Sequence, residues 1–149
     1  MAKYGARSSR VLSTLHPDLQ RVFQAVLDLG FDHSLIEGHR TEEDQNYYFD
    51  SGRSKVKFPD SKHNTLPSEA VDAMPYFKTH PHIDWQHKPS IFHFAGVVRG
   101  VAAMLYEQGE ITHMVRWGGD WDKDFDVREK QWDDTPHFEL YTPVKETQA

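Results

Sequence analysis

A chain of 149 residues has the length of one ordinary domain, enough to bury a continuous core without a disulfide or metal staple. With 38% hydrophobic and 27% charged residues and a mean hydropathy of -0.73, its composition argues against a disordered or membrane-spanning chain. Seventeen basic residues against 23 acidic ones leave -6, so no broad basic field gathers nucleic acid, and the absence of cysteine removes thiol nucleophiles, Cys-ligated zinc and disulfide frameworks together.

The stretch Met1 to Arg10 is positively charged, but no apolar run of signal-peptide length follows it. No stretch is expected to approach the roughly 20 apolar residues of a membrane helix. Leu19, Val22, Phe23, Val26 and Leu27 recur at helical spacing and predict an amphipathic helix over Pro17 to Leu29, with Gly30 as its stop. Ser34 to Glu37 reads as a short strand, and Gly38-His-Arg40 hands over to a second helix at Thr41, whose Thr-Glu-Glu-Asp order is that of a capping box. Residues 51–68, rich in Ser, Lys, Pro and Asp, form a long loop of the kind that carries function. The loop ends in the strand Glu69 to Met74. A polar stretch, 78–90, precedes a helix over Ile91 to Gln108, where Ala95, Gly96, Ala102 and Ala103 permit close packing and Gly109 ends the run. Thr112 to Trp117 and His137 to Tyr141 are two further strands, separated by Gly118-Gly119 and a charged loop. The expected class is α+β: helices on one side of a small antiparallel sheet, in a single domain over 1–149 with a core from about 15 to 142.

Of the ten histidines, His80, His82 and His87 fall in a Pro-interrupted polar segment and read as a solvated loop. His16, His33, His93 and His113 have no paired ligand nearby in sequence and are expected as caps, surface or core residues. His63 and His137 differ, because each lies beside a carboxylate where a loop meets a strand. The first group runs from Ser61-Lys-His63 to Asp72, and the second is Asp133-Asp134-Thr-Pro-His137-Phe-Glu139. Two imidazoles and a carboxylate suit a catalytic zinc, which takes three protein ligands and keeps a place for water. Zinc lowers the pKa of that water to about 7, and Asp134, three residues before His137, is the candidate base for its proton. Glu139 shares a strand face with His137 and is a second candidate base. Histidine and aspartate at loop ends also serve as turn formers with no metal.

Taken together, Ser-x-His, Ala-Val-Asp and a distant Asp-x-x-His resemble the zinc peptidases of the D-alanyl-D-alanine carboxypeptidase and VanY type, including the phage L-alanyl-D-glutamate endolysins. Hedgehog signalling domains are similar in fold. The resemblance runs roughly from Pro17 to Tyr141 and implies Zn2+ held by His63, Asp72 and His137, with Asp134 as general base. Glu37-Gly-His-Arg-Thr41 looks like the segment that supplies the family's active-site arginine, implying that Arg40 binds near the scissile carbonyl, where charge develops. A surface ion pair from Arg40 to Glu42 or Glu43 is the competing reading. Val115 to Trp121 is similar to the family's glycine-rich turn beside the cleft, which implies substrate-side or supporting places for Trp117, Asp120 and Trp121. At least one of the two tryptophans is expected in the core, and Ser61 is expected to support the ligands.

The sequence departs from the family pattern Ser-x-His-x-x-Gly-x-Ala-x-Asp by two extra residues between His63 and Asp72, with Ser68 in the glycine place. Asn64 to Pro67 should therefore bulge outwards and leave both ligands able to converge. The function implied is hydrolysis of peptidoglycan stem peptides by metal-activated water, at L-Ala-D-Glu in preference to D-Ala-D-Ala. The implied protein is a monomeric endolysin made in the host cytoplasm without a signal peptide, reaching the wall through a holin, with neither nucleic acid nor stable membrane insertion. The rival readings are a non-catalytic phage structural or wall-binding module and a zinc amidase.

Overall fold

The computed structural model describes residues 2–128 and 134–144; Asp133, quoted above with its neighbour, lies outside them, as do Met1 and the last five residues of the expected domain. The elements in chain order are α1 (Ala6–Ser13), α2 (Pro17–Asp28), β1 (His33–Glu37), α3 (Glu42–Asp50), a 3-10 turn (Lys62–Asn64), β2 (Ala70–Pro75), α4 (Lys88–Glu107), β3 (Met114–Trp117) and β4 (His137–Tyr141). Helix α3 starts where Thr41 caps it, its hydroxyl accepting the Asp44 N–H at 3.2 Å. Helix α4 begins three residues earlier than its apolar spacing indicates, because the His87 imidazole accepts the Ser90 N–H and Pro89 fits a first turn. Helix α1 is short, with Val11 and Leu12 packed against the core, and its buried Ser8 hydroxyl accepts the Leu35 N–H at 3.1 Å, tying the helix to β1.

The strands form one antiparallel sheet in the order β1-β2-β4-β3. Alternation assigns its two faces. Val71 and Ala73 of β2, Phe138 and Leu140 of β4, and Val115 and Trp117 of β3 enter the core with Leu19, Val22, Phe23 and Val26 of α2 and Phe94, Ala95, Val98 and Ala102 of α4. Phe23 and Phe94 both set their rings against Phe138, at 5.5 and 5.9 Å between centroids, in the edge-on geometry that aromatic pairs prefer. Asp72, Arg116, His137 and Glu139 occupy the intervening positions and line a cleft on the other face. A register shift between Leu35 and Glu37 sets Glu37 opposite Asp72, so this bulge turns Glu37 to the cleft face as well.

One expectation needs correcting. Helix α4 is long and apolar enough, by length and composition alone, to cross a membrane. Its apolar residues are spent elsewhere: Ile91, Phe94, Ala95, Val98, Val101, Ala102 and Leu105 are buried against the rest of the fold.

Candidate metal centre

Asp72 and His137 are register partners on adjacent strands and project to the same face. His63 arrives from the 3-10 turn, which Ser61 caps by accepting the His63 N–H at 3.2 Å while Asn64 Oδ1 accepts the Ser61 N–H. Of the bulge expected over Asn64 to Pro67, Thr65, Leu66 and Pro67 are exposed, but Asn64 turns inward, buried with its Nδ2 donating to Arg40 O and Gln45 Oε1; Ser68 is buried and hydrogen-bonded to Ala70.

Three ligand atoms converge. His63 Nε2 lies 3.2 Å from His137 Nδ1, and each nitrogen lies 3.4 Å from Asp72 Oδ1. A tetrahedral ion with arms of about 2.0–2.1 Å has edges of roughly 3.3–3.4 Å, so this triangle fits one face of a zinc site. Asp72 Oδ1 is buried and accepts no hydrogen bond among the described residues, a costly state for a carboxylate oxygen unless a cation uses it. The far sides of both rings are held. His63 Nδ1 bonds the Gly38 carbonyl at 2.7 Å, and His137 Nε2 bonds Glu139 Oε1 at 2.9 Å, while Glu139 Oε2 receives Arg116 Nη2 at 2.8 Å. Donor set, spacing and orphaned oxygen together fit a divalent metal.

The charges are mutually dependent. Burial works against a charged Asp72, but His137 and His63, each 3.4 Å from its Oδ1, hold it far below the usual carboxylate range. Burial also opposes charge on His137, yet Asp72 and Glu139 raise its pKa to about 9. Against the same penalty, His137 and Arg116 hold Glu139 down to about 2. Asp134 goes the other way: burial, then the charge of Asp72, pushes it up to about 6, with Oδ2 3.7 Å from His137 Nδ1. Its backbone is fixed by two contacts. The Asp134 carbonyl accepts the His137 N–H, and it also lies so close to Gly118 that any Cβ there would collide with it.

Arg40 does not pair with Glu42 or Glu43. Its Nε and Nη2 bind the two oxygens of Glu37, at 2.8 and 3.0 Å, because the β1 bulge brings Glu37 round to meet it. Its third bond, from Nη1, goes to Gln45 Oε1 at 2.9 Å, and its guanidinium lies 4.6 Å over the Tyr48 ring. Gln45 went unforeseen. Fully buried, it also accepts from Asn64 Nδ2 and donates to Ser54 Oγ and Val56 O, so it ties Arg40, the His63 turn and residues 54–56 together. In sequence it is one neutral amide in an acidic helix, and its other partners lie 9 to 19 residues away.

The candidates around Gly118 divide. Trp121 lines the cleft, its ring 5.5 Å from that of His137 and under Arg116 at 5.1 Å. Trp117 is in the core, its indole donating to Thr135 O at 2.7 Å, and Asp120 is buried against Arg99 at 3.0 Å; neither lines the cleft. Expected to lack paired ligands, His16 and His113 in fact meet at Asp18, a second group of two histidines and an aspartate. Asp120, Asp122 and Asp124 form a third cluster.

Known proteins share this architecture. A family model described as phage L-alanyl-D-glutamate peptidase matches residues 1–141. The chain is 28% identical over 131 residues, 86% of its length, to the L-alanyl-D-glutamate peptidase of Escherichia phage T5, covering 88% of that protein. It is also similar to the crystal structure of the Serratia marcescens L-Ala D-Glu endopeptidase ChiX, with a TM-score of 0.68 and 30% identity over 93% of this chain and 89% of that one.

Proposed function

The chain belongs to the phage L-alanyl-D-glutamate peptidase family, and from that membership we propose that it is a zinc peptidase hydrolysing the L-Ala-D-Glu bond of peptidoglycan stem peptides. The observation that carries the reading is the convergence of His63 Nε2, His137 Nδ1 and the orphaned Asp72 Oδ1 beside Asp134. His63, Asp72 and His137 would hold Zn2+, which when bound supplies Lewis-acid polarisation of a carbonyl and a water that ionises near pH 7.

The remaining work falls to the chain's own groups. Asp134 accepts the proton of the attacking water and returns it to the D-Glu amine as the C–N bond breaks, so the products are a carboxylate and a free amino group. Burial and the charge of Asp72 push this carboxyl upward, towards the range in which a group can both take and return a proton. Arg40, clamped by Glu37 and Gln45, retains an N–H on each terminal nitrogen for the carbonyl oxygen as charge gathers on it. Trp121 forms a wall beside His137. The same reading makes the protein a single-domain, monomeric endolysin, made in the host cytoplasm and admitted to the wall by a holin.

The test is zinc content and wall cleavage on one purified sample, with mass spectrometry of the fragments before chelation, after it and after zinc is restored. About one zinc per chain with new L-Ala carboxyl and D-Glu amino ends, lost on chelation and regained with zinc, is the expected result. Release of D-Ala would assign a carboxypeptidase, and metal without cleavage would assign a binding module.

A further inference from the structure

Chemistry at the proposed bond demands a second recognition element. The glutamate after the scissile amide brings two carboxyl groups, and only one of them can continue the peptide. Its other carboxylate remains free, a few bonds from the reacting carbonyl, and a specific site must meet it with a cation or leave it desolvated and unpaired.

Most cations lining the cleft are already engaged. Arg40 is bound to Glu37, Arg116 to Glu139, and Lys62 Nζ donates to the Leu140 carbonyl. Arg53 is different: it is exposed on the cleft wall and forms no ion pair among the described residues, not even with Asp60, which lines the same cleft. Its guanidinium lies 5.8 Å from the centre of the Tyr48 ring, the ring that also lies beneath Arg40 at 4.6 Å. The two arginines therefore share one aromatic support, one neutralised by Glu37 and the other unneutralised.

The backbone beneath Arg53 is also braced. Its N–H and that of Ser54 both donate to the Tyr48 carbonyl, at 2.8 and 3.0 Å, and buried Gln45 binds Ser54 Oγ and Val56 O. We infer that Arg53 is a specificity-determining residue that takes the free carboxylate of the D-Glu residue through a charge-assisted, two-pronged hydrogen bond, with Tyr48 supporting its guanidinium. The inference rests on the L-Ala-D-Glu reading above.

Two synthetic stem peptides test it, alike except that one carries the free D-Glu carboxylate and the other its carboxamide. The zinc-loaded wild type should favour the acid by at least about tenfold in kcat/KM, mostly through KM. In Arg53→Gln and Arg53→Ala the preference should shrink to within about twofold, with zinc content and Tm held as checks on folding, and Arg53→Lys should keep part of it. A wild type indifferent to the carboxylate, or an Arg53→Gln variant that keeps the full preference, would overturn the assignment. A wild type that cuts neither peptide would instead overturn the bond assignment beneath it.

Discussion

Two groups of two histidines and one aspartate occur in this fold, and they have opposite fates. At His63, Asp72 and His137, the outer ring nitrogens are bound from behind by Gly38 and Glu139, which leaves three ligand atoms facing one another and Asp72 Oδ1 without a donor among the described residues. At His16, Asp18 and His113, the aspartate is already satisfied. Asp18 Oδ2 receives the backbone N–H groups of Thr112 and His113, the Thr112 hydroxyl and His113 Nδ1, while His16 Nδ1 is occupied in capping α2. The second group spends its polar atoms joining the start of α2 to the segment before β3. Residue type is common to both, so what marks the first group as the candidate metal centre is that its ligand atoms face one another at the front while its rings are held at the back.

That contrast can be broken in four places. His137→Ala should remove zinc and wall cleavage together, the largest effect, and elemental analysis showing stoichiometric zinc without His137 would end the ligand assignment. Asp134→Ala should keep the metal but lose roughly 10²–10⁴ in turnover, the usual worth of a general base. In the wild type, kcat/KM should fall on acidification as Asp134 takes up a proton, with an acid limb at or below pH 6 because a divalent cation beside the carboxylate favours its charged form. That limb should be missing from the residual activity of Asp134→Ala.

Glu139→Gln should weaken zinc binding by about 10–100-fold, measured by competition with a chelator, since the group that orients His137 is replaced by a poorer acceptor. Asp18→Ala should cost roughly 1–3 kcal/mol of folding stability in urea titrations and leave zinc stoichiometry untouched. Hydrogen bonds from His113 and Thr112 outweigh burial and set the folded pKa of Asp18 below its unfolded value, so its contribution is present above about pH 4 and disappears as pH falls through the folded value. Loss of zinc in Asp18→Ala would erase the distinction between the two groups.

Much of the site was legible because its residues sit where chain periodicity is simple. Asp72 and His137 lie on strands whose alternation separates core from cleft, and Thr41 and Pro17 mark helix starts with local chemistry. What escaped detection depends on contacts remote in sequence. The partner of Arg40 follows from a bulge in β1 that no composition signals, and Gln45 acquires its role from segments that come later in the chain. Asp120 and Trp117 resemble cleft residues in the string Val115 to Trp121, but packing against Arg99 and Thr135 draws them inward. His16 and His113 are 97 positions apart, and only the folded chain shows that both reach Asp18.

Gly118 also carries a consequence for how this enzyme tolerates change. A residue with no side chain donates no proton and binds no substrate, yet any methyl group there would displace the carbonyl of Asp134. A substitution survey scored by lysis alone should therefore rank Gly118 beside the acids and histidines, while one scored by metal retention should set it apart from them. Asp134, the proposed base, owes its place to a gap that the rest of the molecule keeps empty, so evolution can alter the rim of this cleft far more freely than it can fill that space.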